Sequence, residues 1–254
     1  MSEQLPYLGP QQRIRFPDPE SADSHGVLAV GGNLSPGVLL SAYEQGVFPW
    51  YDRDPIVWFS PDPRFVLDLD RFRVPRRFRR AARTSAFRLT FDTDFEAVID
   101  ACRAAQRPGQ GGTWITKEMA SAYLQLHRLG YAHSVEVWEA DRLVGGLYGV
   151  QVGCMFAGES MFSLLPGASK HALVALVGFA ATRGAFCIDC QSETAYLGAH
   201  GARNVPRRDF LATLAQAKER ECFPRSWRPV DADNAFIQGL DLDQRNRADR
   251  SGGW

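Results

Sequence analysis

The stretch CMFAGESMFSLLPGASKHALVALVGFAATRGAFCIDCQ, residues 154 to 191, decides the fold. It opens on an apolar run of strand length, CMFAGESMF, crosses a short loop at Pro166 and Gly167, continues as ASKHALVALVGFAATRG and ends on a second apolar run, AFCIDCQ. The middle segment, 168 to 184, is apolar almost all round, which predicts a buried helix. Strand, buried helix, strand in that order predicts a parallel crossover within one sheet. One residue is out of place in this pattern. Glu159 stands among Met155, Phe156, Met161 and Phe162, where a buried strand carries apolar side chains. An unpaired buried carboxylate is costly or takes up a proton, so Glu159 faces either solvent or a group that compensates its burial.

Upstream, HSVEVWE, RLVGGLYGVQ and CMFAGESMF follow one another with turns at Ala140-Asp141 and near Val152-Gly153, the spacing of an antiparallel meander. Before the meander come two helices. Thr93-x-x-Glu96 reads as a capping box over Phe95, Val98, Ile99 and Cys102. After the glycine-rich break RPGQGGTWIT, Thr116 caps a face of Met119, Ala122, Tyr123 and Leu126 that Gly130 closes. Further upstream, Ser35-Pro36 opens a short helix with Leu39, Leu40 and Tyr43 on its apolar stripe, and four prolines break VFPWYDRDPIVWFSPDPRF into loop and short strand. Downstream, Pro206 opens an amphipathic helix through Phe210, Leu211, Leu214 and Ala217. The expected organisation is a small N-terminal α/β domain over 1–66, an α+β domain with a mixed sheet over 67–230, and a disordered tail over 231–254, where apolar anchors are few.

The net charge is zero, with 29 basic and 29 acidic residues, yet RFRVPRRFRRAAR concentrates seven arginines, Arg71, Arg73, Arg76, Arg77, Arg79, Arg80 and Arg83. Such a block is either a solvated face or a strip for phosphates, with Phe72 and Phe78 available to pack or stack. No run of eighteen apolar residues is present and the first residues have no leader-like pattern, so the expectation is a cytoplasmic protein with no membrane partner. The five cysteines, 102, 154, 187, 190 and 222, are scattered, which fits free thiols better than a disulfide framework. Cys187 and Cys190 are three apart on a strand and so point to opposite faces, which argues against a metal or redox pair. No metal is expected. The chain has no G-x-S-x-G elbow and no H-E-x-x-H helix.

The order helix, helix, meander, helix, strand resembles the GNAT acyltransferase fold, in which an acyl donor enters the gap of a splayed parallel strand pair. An acetyl-CoA enzyme of that type holds pyrophosphate in a basic glycine loop before the crossover helix. Here that position reads SLLPGASK and lacks the pattern. A closer resemblance lies in nine collinear motifs: GGNLSPGVLLSAYEQGVFPWY, WFSPDPR, GTWIT, LGYAHSVEVW, LVGGLYGV, GESMFS, ASK, IDCQ and VPRRDF. Together they resemble the leucyl/phenylalanyl-tRNA-protein transferases, from about residue 26 to 229. The resemblance implies a GNAT-like catalytic domain and transfer of Leu or Phe from Leu-tRNA or Phe-tRNA to the N-terminal Arg or Lys of a protein, which marks it for degradation. No cofactor is implied, since the aminoacyl-tRNA is a substrate.

Carried onto this chain, the resemblance implies that Trp50 and Trp114 hold the terminal adenosine and that Leu147, Phe156, Met161 and Ile188 form the aminoacyl pocket. Leu147 stands where methionine is common, a change that conserves volume. Asp189 and Gln191 are implied at the reacting centre, with Glu159 on the adjacent strand as an electrostatic and positioning group for the cationic acceptor. The plainer reading of Glu159 is a carboxylate satisfied by backbone or by a neighbouring Arg. The arginine block is implied to contact tRNA. The chain departs from the family pattern at Tyr196 and at Ala199-His200, which bears on the acceptor pocket or the donor preference. Arg207 and Arg208 open a helix against its dipole, which either an anionic partner nearby relieves or a plain surface position tolerates. Three other readings are another aminoacyl-tRNA-dependent GNAT-like transferase, a non-catalytic RNA-binding protein, and a CoA acetyltransferase.

Overall fold

The computed structural model describes residues 6–82, 84–105 and 115–251. In the N-terminal part, β1 (Val27–Val30), β2 (Phe48–Pro49) and β3 (Val57–Phe59) form a small antiparallel sheet in the order β1-β3-β2, joined through helix α1 (Pro36–Glu44). Pro36 starts α1 with its φ already helical. Ser35 does not cap it, because its Oγ accepts the amide of Leu8 at 3.0 Å.

The rest of the chain runs β4 (Arg64–Asp68), α2 (Arg76–Ala82), β5 (Arg88–Phe91), α3 (Phe95–Ala104), α4 (Lys117–Arg128), β6 (Ala132–Glu139), β7 (Arg142–Val152), β8 (Met155–Ser163), α5 (Ala168–Thr182), β9 (Cys187–Gln191), α6 (Ala195–Ala199), β10 (Arg203–Val205), α7 (Arg207–Lys218) and α8 (Ala232–Ser251). Its strands form one mixed sheet in the order β10-β4-β9-β8-β7-β6-β5. The meander β6-β7-β8 turns at Ala140 and Gly153, both at positive φ, and α5 carries the chain across to β9, which runs parallel to β8. α1, α3, α4 and α7 cover one face of this sheet, and α2, α5 and α8 the other. Strands buried on both faces read as nearly continuous apolar runs, which is why the alternation was weak in the sequence. The expected domain limit at residue 66 falls inside β4, and one apolar core joins α1 and Trp58 to α3, α4 and Tyr148.

The parallel pair is short. β8 and β9 are in register only at Met155/Cys187, Phe156/Ile188 and Ala157/Asp189, while β8 goes on pairing with β7 as far as Ser163/Gly145. Beyond Ala157 the two strands part and leave an opening in the sheet.

Three expectations need correction. The tail is not disordered: residues 232–251 form α8, packed on α5. Two glycines make this contact. A Cβ on Gly178 would lie 1.9 Å from the carbonyl oxygen of Ala235, and one on Gly239 would lie 2.1 Å from that of Val174. The helices thus touch backbone to backbone, with Ala235, Phe236 and Leu240 the apolar anchors between charged neighbours. Second, Asp94 rather than Thr93 caps α3: its carboxylate accepts Ala97 N at 3.0 Å, while the Thr93 hydroxyl donates back to Phe91 O at 3.4 Å. Third, Cys154 and Cys222 form a disulfide that ties the β7–β8 turn to the segment after α7, leaving Cys102, Cys187 and Cys190 as thiols. Their separation of 68 residues hid this pairing in the sequence.

Candidate active site

Where β8 and β9 part, a cavity of about 540 Å³ opens. On the α5 side its wall is apolar: Leu147 from β7, Met161 from β8, Leu173 and Leu176 from α5, and Ile188 from β9. Phe48, Pro49 and Trp50 from the N-terminal sheet complete the wall, with the Trp50 side chain standing 41% exposed and its ring 5.6 Å from that of Phe59. Of the expected aminoacyl residues, Leu147, Met161 and Ile188 line the cavity. Phe156 does not; it is wholly buried beside Ile188, its register partner, and packs on Trp227. Trp114 lies outside the described residues.

Glu159 lines the same cavity and is 8% exposed. Its Oε2 accepts the Tyr123 hydroxyl at 2.9 Å, its Oε1 accepts Gln191 Nε2 at 2.7 Å, and the Tyr43 hydroxyl bonds to that of Tyr123. All these donors are neutral, and none of the ion pairs among the described residues includes Glu159. Burial therefore raises its pKa from 4.5 to about 7, with the three hydrogen-bond donors pulling down and the nearby Asp189 pushing up. The partners of Glu159 are thus neutral side chains, neither the backbone nor the arginine of the plainer reading.

Asp189 is placed differently from the expectation. Because Gln191 takes a left-handed φ of 63°, the i, i+2 rule fails here and the two side chains do not share a surface. Gln191 lines the cavity; Asp189 does not, and is 2% exposed. Its carboxylate is held by Arg64 of β4 in a two-point pair, Nε to Oδ1 at 2.8 Å and Nη2 to Oδ2 at 2.7 Å. Arg64 is itself buried, donates Nη1 to Gly46 O at 3.0 Å, and lies between the rings of Phe48 and Phe210. Asp189 Oδ1 also accepts the amide of Gln191 at 2.9 Å. The pair thus fixes a backbone conformation that costs a non-glycine residue about 1–2 kcal/mol. Asp189 contacts Gln191 and Arg64 and does not line the cavity.

Sequence reasoning missed Arg64, Tyr43 and Tyr123. Arg64 was visible in WFSPDPR with no role attached. The tyrosines were read as core, and the available signal was chemical: a buried tyrosine needs a partner for its hydroxyl.

The other expected positions fall outside the cavity. Of the arginine block, Arg71, Arg73, Arg76, Arg77 and Arg80 are exposed, Arg79 pairs with the buried Asp243 of α8, and Arg83 lies outside the described residues. Phe72 and Phe78 are buried and pack rather than stack outward. His200 is 1% exposed; its Nδ1 bonds to Arg73 O at 2.9 Å and its ring stacks on Phe72. Tyr196, by contrast, lines the cavity. At the start of α7 the two arginines divide: Asp62 accepts the amide of Arg207 at 3.0 Å and Glu20 lies 3.5 Å from its guanidinium, while Arg208 is exposed.

Asp92, His127 and His133 bring three ligand-type atoms together where β5 ends. Those atoms are engaged. Asp92 accepts His133 Nδ1 at 2.8 Å, Ser134 N at 3.0 Å and Trp227 N at 3.0 Å, and His127 Nδ1 bonds to Ala132 O at 2.9 Å. The cluster braces the segment leading to α8. Cys187 is buried and Cys190 is half-buried at the cavity wall, and desolvation pushes both thiol pKa values up, unlike reactive thiolates.

Residues 66–215 match the sequence model of a family described as leucyl/phenylalanyl-tRNA protein transferase, and residues 32–62 match that of the family's N-terminal domain. A leucyl/phenylalanyl-tRNA–protein transferase of Anaeromyxobacter sp. (strain K) is 52% identical over 84% of this chain and 92% of its own length. One from Nitratidesulfovibrio vulgaris (strain DP4) is 50% identical over 87% of this chain and 95% of its own. A solved structure of a functionally unknown conserved protein from Staphylococcus epidermidis ATCC 12228 matches at a TM-score of 0.40 and 9% identity, over 71% of this chain and 68% of that one, too remote to carry an argument.

Proposed function

The chain belongs to the leucyl/phenylalanyl-tRNA protein transferase family, and from that premise we propose that it moves Leu or Phe from aminoacyl-tRNA to a protein whose N-terminal residue is Arg or Lys. The observation that carries the reading is the cavity between the parted strands. It joins an apolar wall of side-chain size to a buried, partly ionised carboxylate. We read the parted parallel pair as GNAT-like, with the small N-terminal part closing the cavity through Phe48, Pro49 and Trp50.

In this reading Trp50 supports the terminal adenine, as aromatic faces do for unpaired bases, and Leu147, Met161, Leu173, Leu176 and Ile188 receive the donor's side chain. The acceptor brings an α-ammonium and a side-chain cation. Glu159 pairs with one of them. The second carboxylate the sequence reading assigned to Asp189 is supplied instead by Glu193, which lines the cavity and is held by Asn204 Nδ2 at 2.6 Å. The reaction forms a C–N bond to the acceptor amine and breaks the ester C–O bond to the ribose, whose hydroxyl leaves with a proton. An α-amino group has a pKa near ~8, so a usable fraction is neutral at pH 7 and positioning carries more of the rate than a strong base. Glu159, with a pKa of about 7, is able to take the ammonium proton. Gln191, fixed by Asp189 and Arg64, offers its amide to the amine or to the tetrahedral centre. No step needs a cofactor.

The exposed arginines Arg71, Arg73, Arg76, Arg77 and Arg80 form the surface for the tRNA phosphates. An added Leu or Phe marks the acceptor for degradation in the cytoplasm, where charged tRNA is available. The test is transfer of labelled leucine from Leu-tRNA to peptides beginning with Arg or with Ala. Arg-selective transfer supports the reading. A folded protein that binds charged tRNA and transfers to neither peptide favours an RNA-binding module.

A further inference from the structure

The arginine segment is held through its backbone at Leu69–Val74 and through one arginine, Arg79. Asn246 Nδ2 of α8 donates to Leu69 O at 2.8 Å and to Phe72 O at 3.3 Å, and Arg247 Nη2 donates to Val74 O at 2.7 Å. From the other side, Arg73 N donates to His200 O at 2.8 Å, His200 Nδ1 returns to Arg73 O, and Gly201 comes so close that a Cβ there would lie 2.2 Å from Arg71 O. One arginine is withdrawn from the surface: Arg79 pairs with Asp243, which is fully buried and also accepts Arg247 Nε at 3.0 Å. The result is a segment held at five backbone atoms between Leu69 and Val74, a 3-10 turn at Leu69–Arg71 leading into α2, with Arg71, Arg73, Arg76, Arg77 and Arg80 exposed and Arg71 3.5 Å from Asp68.

We infer that α8 is a clamp for RNA binding: it holds residues 69–82 as a fixed array of guanidinium groups for the sugar-phosphate backbone of the tRNA body. The inference rests on reading that array as the tRNA surface. It is specific to the part of the chain past the family match, which ends at residue 215. Physically, a loose arginine-rich segment loses backbone and side-chain freedom on binding RNA, and a clamped one has already lost it in folding. α8 has a buried carboxylate and a buried amide aimed at this segment, which packing alone against α5 does not require.

The test measures two quantities for the full chain: the Kd for uncharged tRNA, by filter binding at about 0.1 M salt, and kcat for transfer at saturating Leu-tRNA. Asn246→Ala and Asp243→Asn are expected to weaken tRNA binding roughly tenfold, as the loss of about two phosphate contacts would, with kcat unchanged. Asn246→Ala removes no charge and serves alone if Asp243→Asn does not fold. Folded variants with wild-type Kd overturn the clamp. A fall in kcat with unchanged Kd also overturns it, since α8 would then support the cavity. The triple variant Arg76→Ala, Arg77→Ala, Arg80→Ala separates the two claims. If it weakens tRNA binding and the α8 variants do not, only the clamp fails; if it leaves Kd unchanged, the surface reading fails and the clamp with it.

Discussion

Glu159 sits where two strands have just parted, so its carboxylate is dry enough to hold a proton yet open to a ligand. Between pH 4.5 and about 7 the folded chain keeps a proton there that the unfolded chain releases. The contribution to stability is therefore fully present below pH 4.5 and is lost as pH rises through about 7, a change of roughly 3 kcal/mol. Glu159→Gln keeps the acceptor for Tyr123 and cannot titrate. Urea unfolding at pH 5 and at pH 8 is expected to show a fall in wild-type stability that the variant lacks, and the acceptor KM of the wild type is expected to drop as pH passes 7. A variant with the wild-type difference would remove Glu159 from both roles. The partner case is Arg64. Replacing it by Met leaves Asp189 buried without a cation, and urea midpoints should show a loss of about 3–5 kcal/mol. Much of that is expected to return in Arg64→Met with Asp189→Leu, because the lone charge is the cost. At this scale the sequence was half legible. Glu159 stood out as a charge in an apolar strand, and Gln191 came with the motif. Asp189 was misplaced because strand periodicity holds only while φ stays negative, and Gln191 breaks it. Arg64 was hidden because pairing across 125 residues leaves no local pattern.

The elements that carry a period were legible, and those that carry a contact were not. The meander, the crossover and the cap of α4 by Thr116 followed from turn spacing, an apolar run and a side chain that reaches Met119 N at 3.1 Å. α8 did not follow, because its stability comes from close approach to α5 and from polar groups that anchor 69–74, none of which gives an apolar stripe. Wedging this contact should loosen it. Gly178→Val and Gly239→Ala each force a backbone clash, with an expected cost of roughly 1–3 kcal/mol. Calorimetry should show a lower Tm by about 2–4 °C per kcal/mol. The double variant should cost little more than the worse single one, because a helix already displaced cannot clash twice. Additive losses would mean that the two glycines serve separate contacts.

For the whole molecule, the cavity is a joint between parts of the chain far apart in sequence: Trp50 arrives from the small N-terminal sheet, Glu159 and Gln191 from the parted strands, and Leu173 and Leu176 from the crossover helix. Trp50→Ala should raise the KM for Leu-tRNA by the equivalent of about 1–3 kcal/mol of lost stacking, with a smaller effect on kcat. An unchanged KM would take the adenine elsewhere. In this reading the opening between β8 and β9 is where the aminoacyl ester meets the acceptor amine. The most direct measurement is a crystal structure with a hydrolysis-resistant amide analogue of leucyl-adenosine. The leucyl side chain is expected among Leu147, Met161 and Ile188, the adenine against Trp50, and the acyl carbonyl carbon facing Gln191 and Glu159. An analogue seated outside this opening, or with its acyl carbon turned away from Glu159 and Gln191, would contradict it.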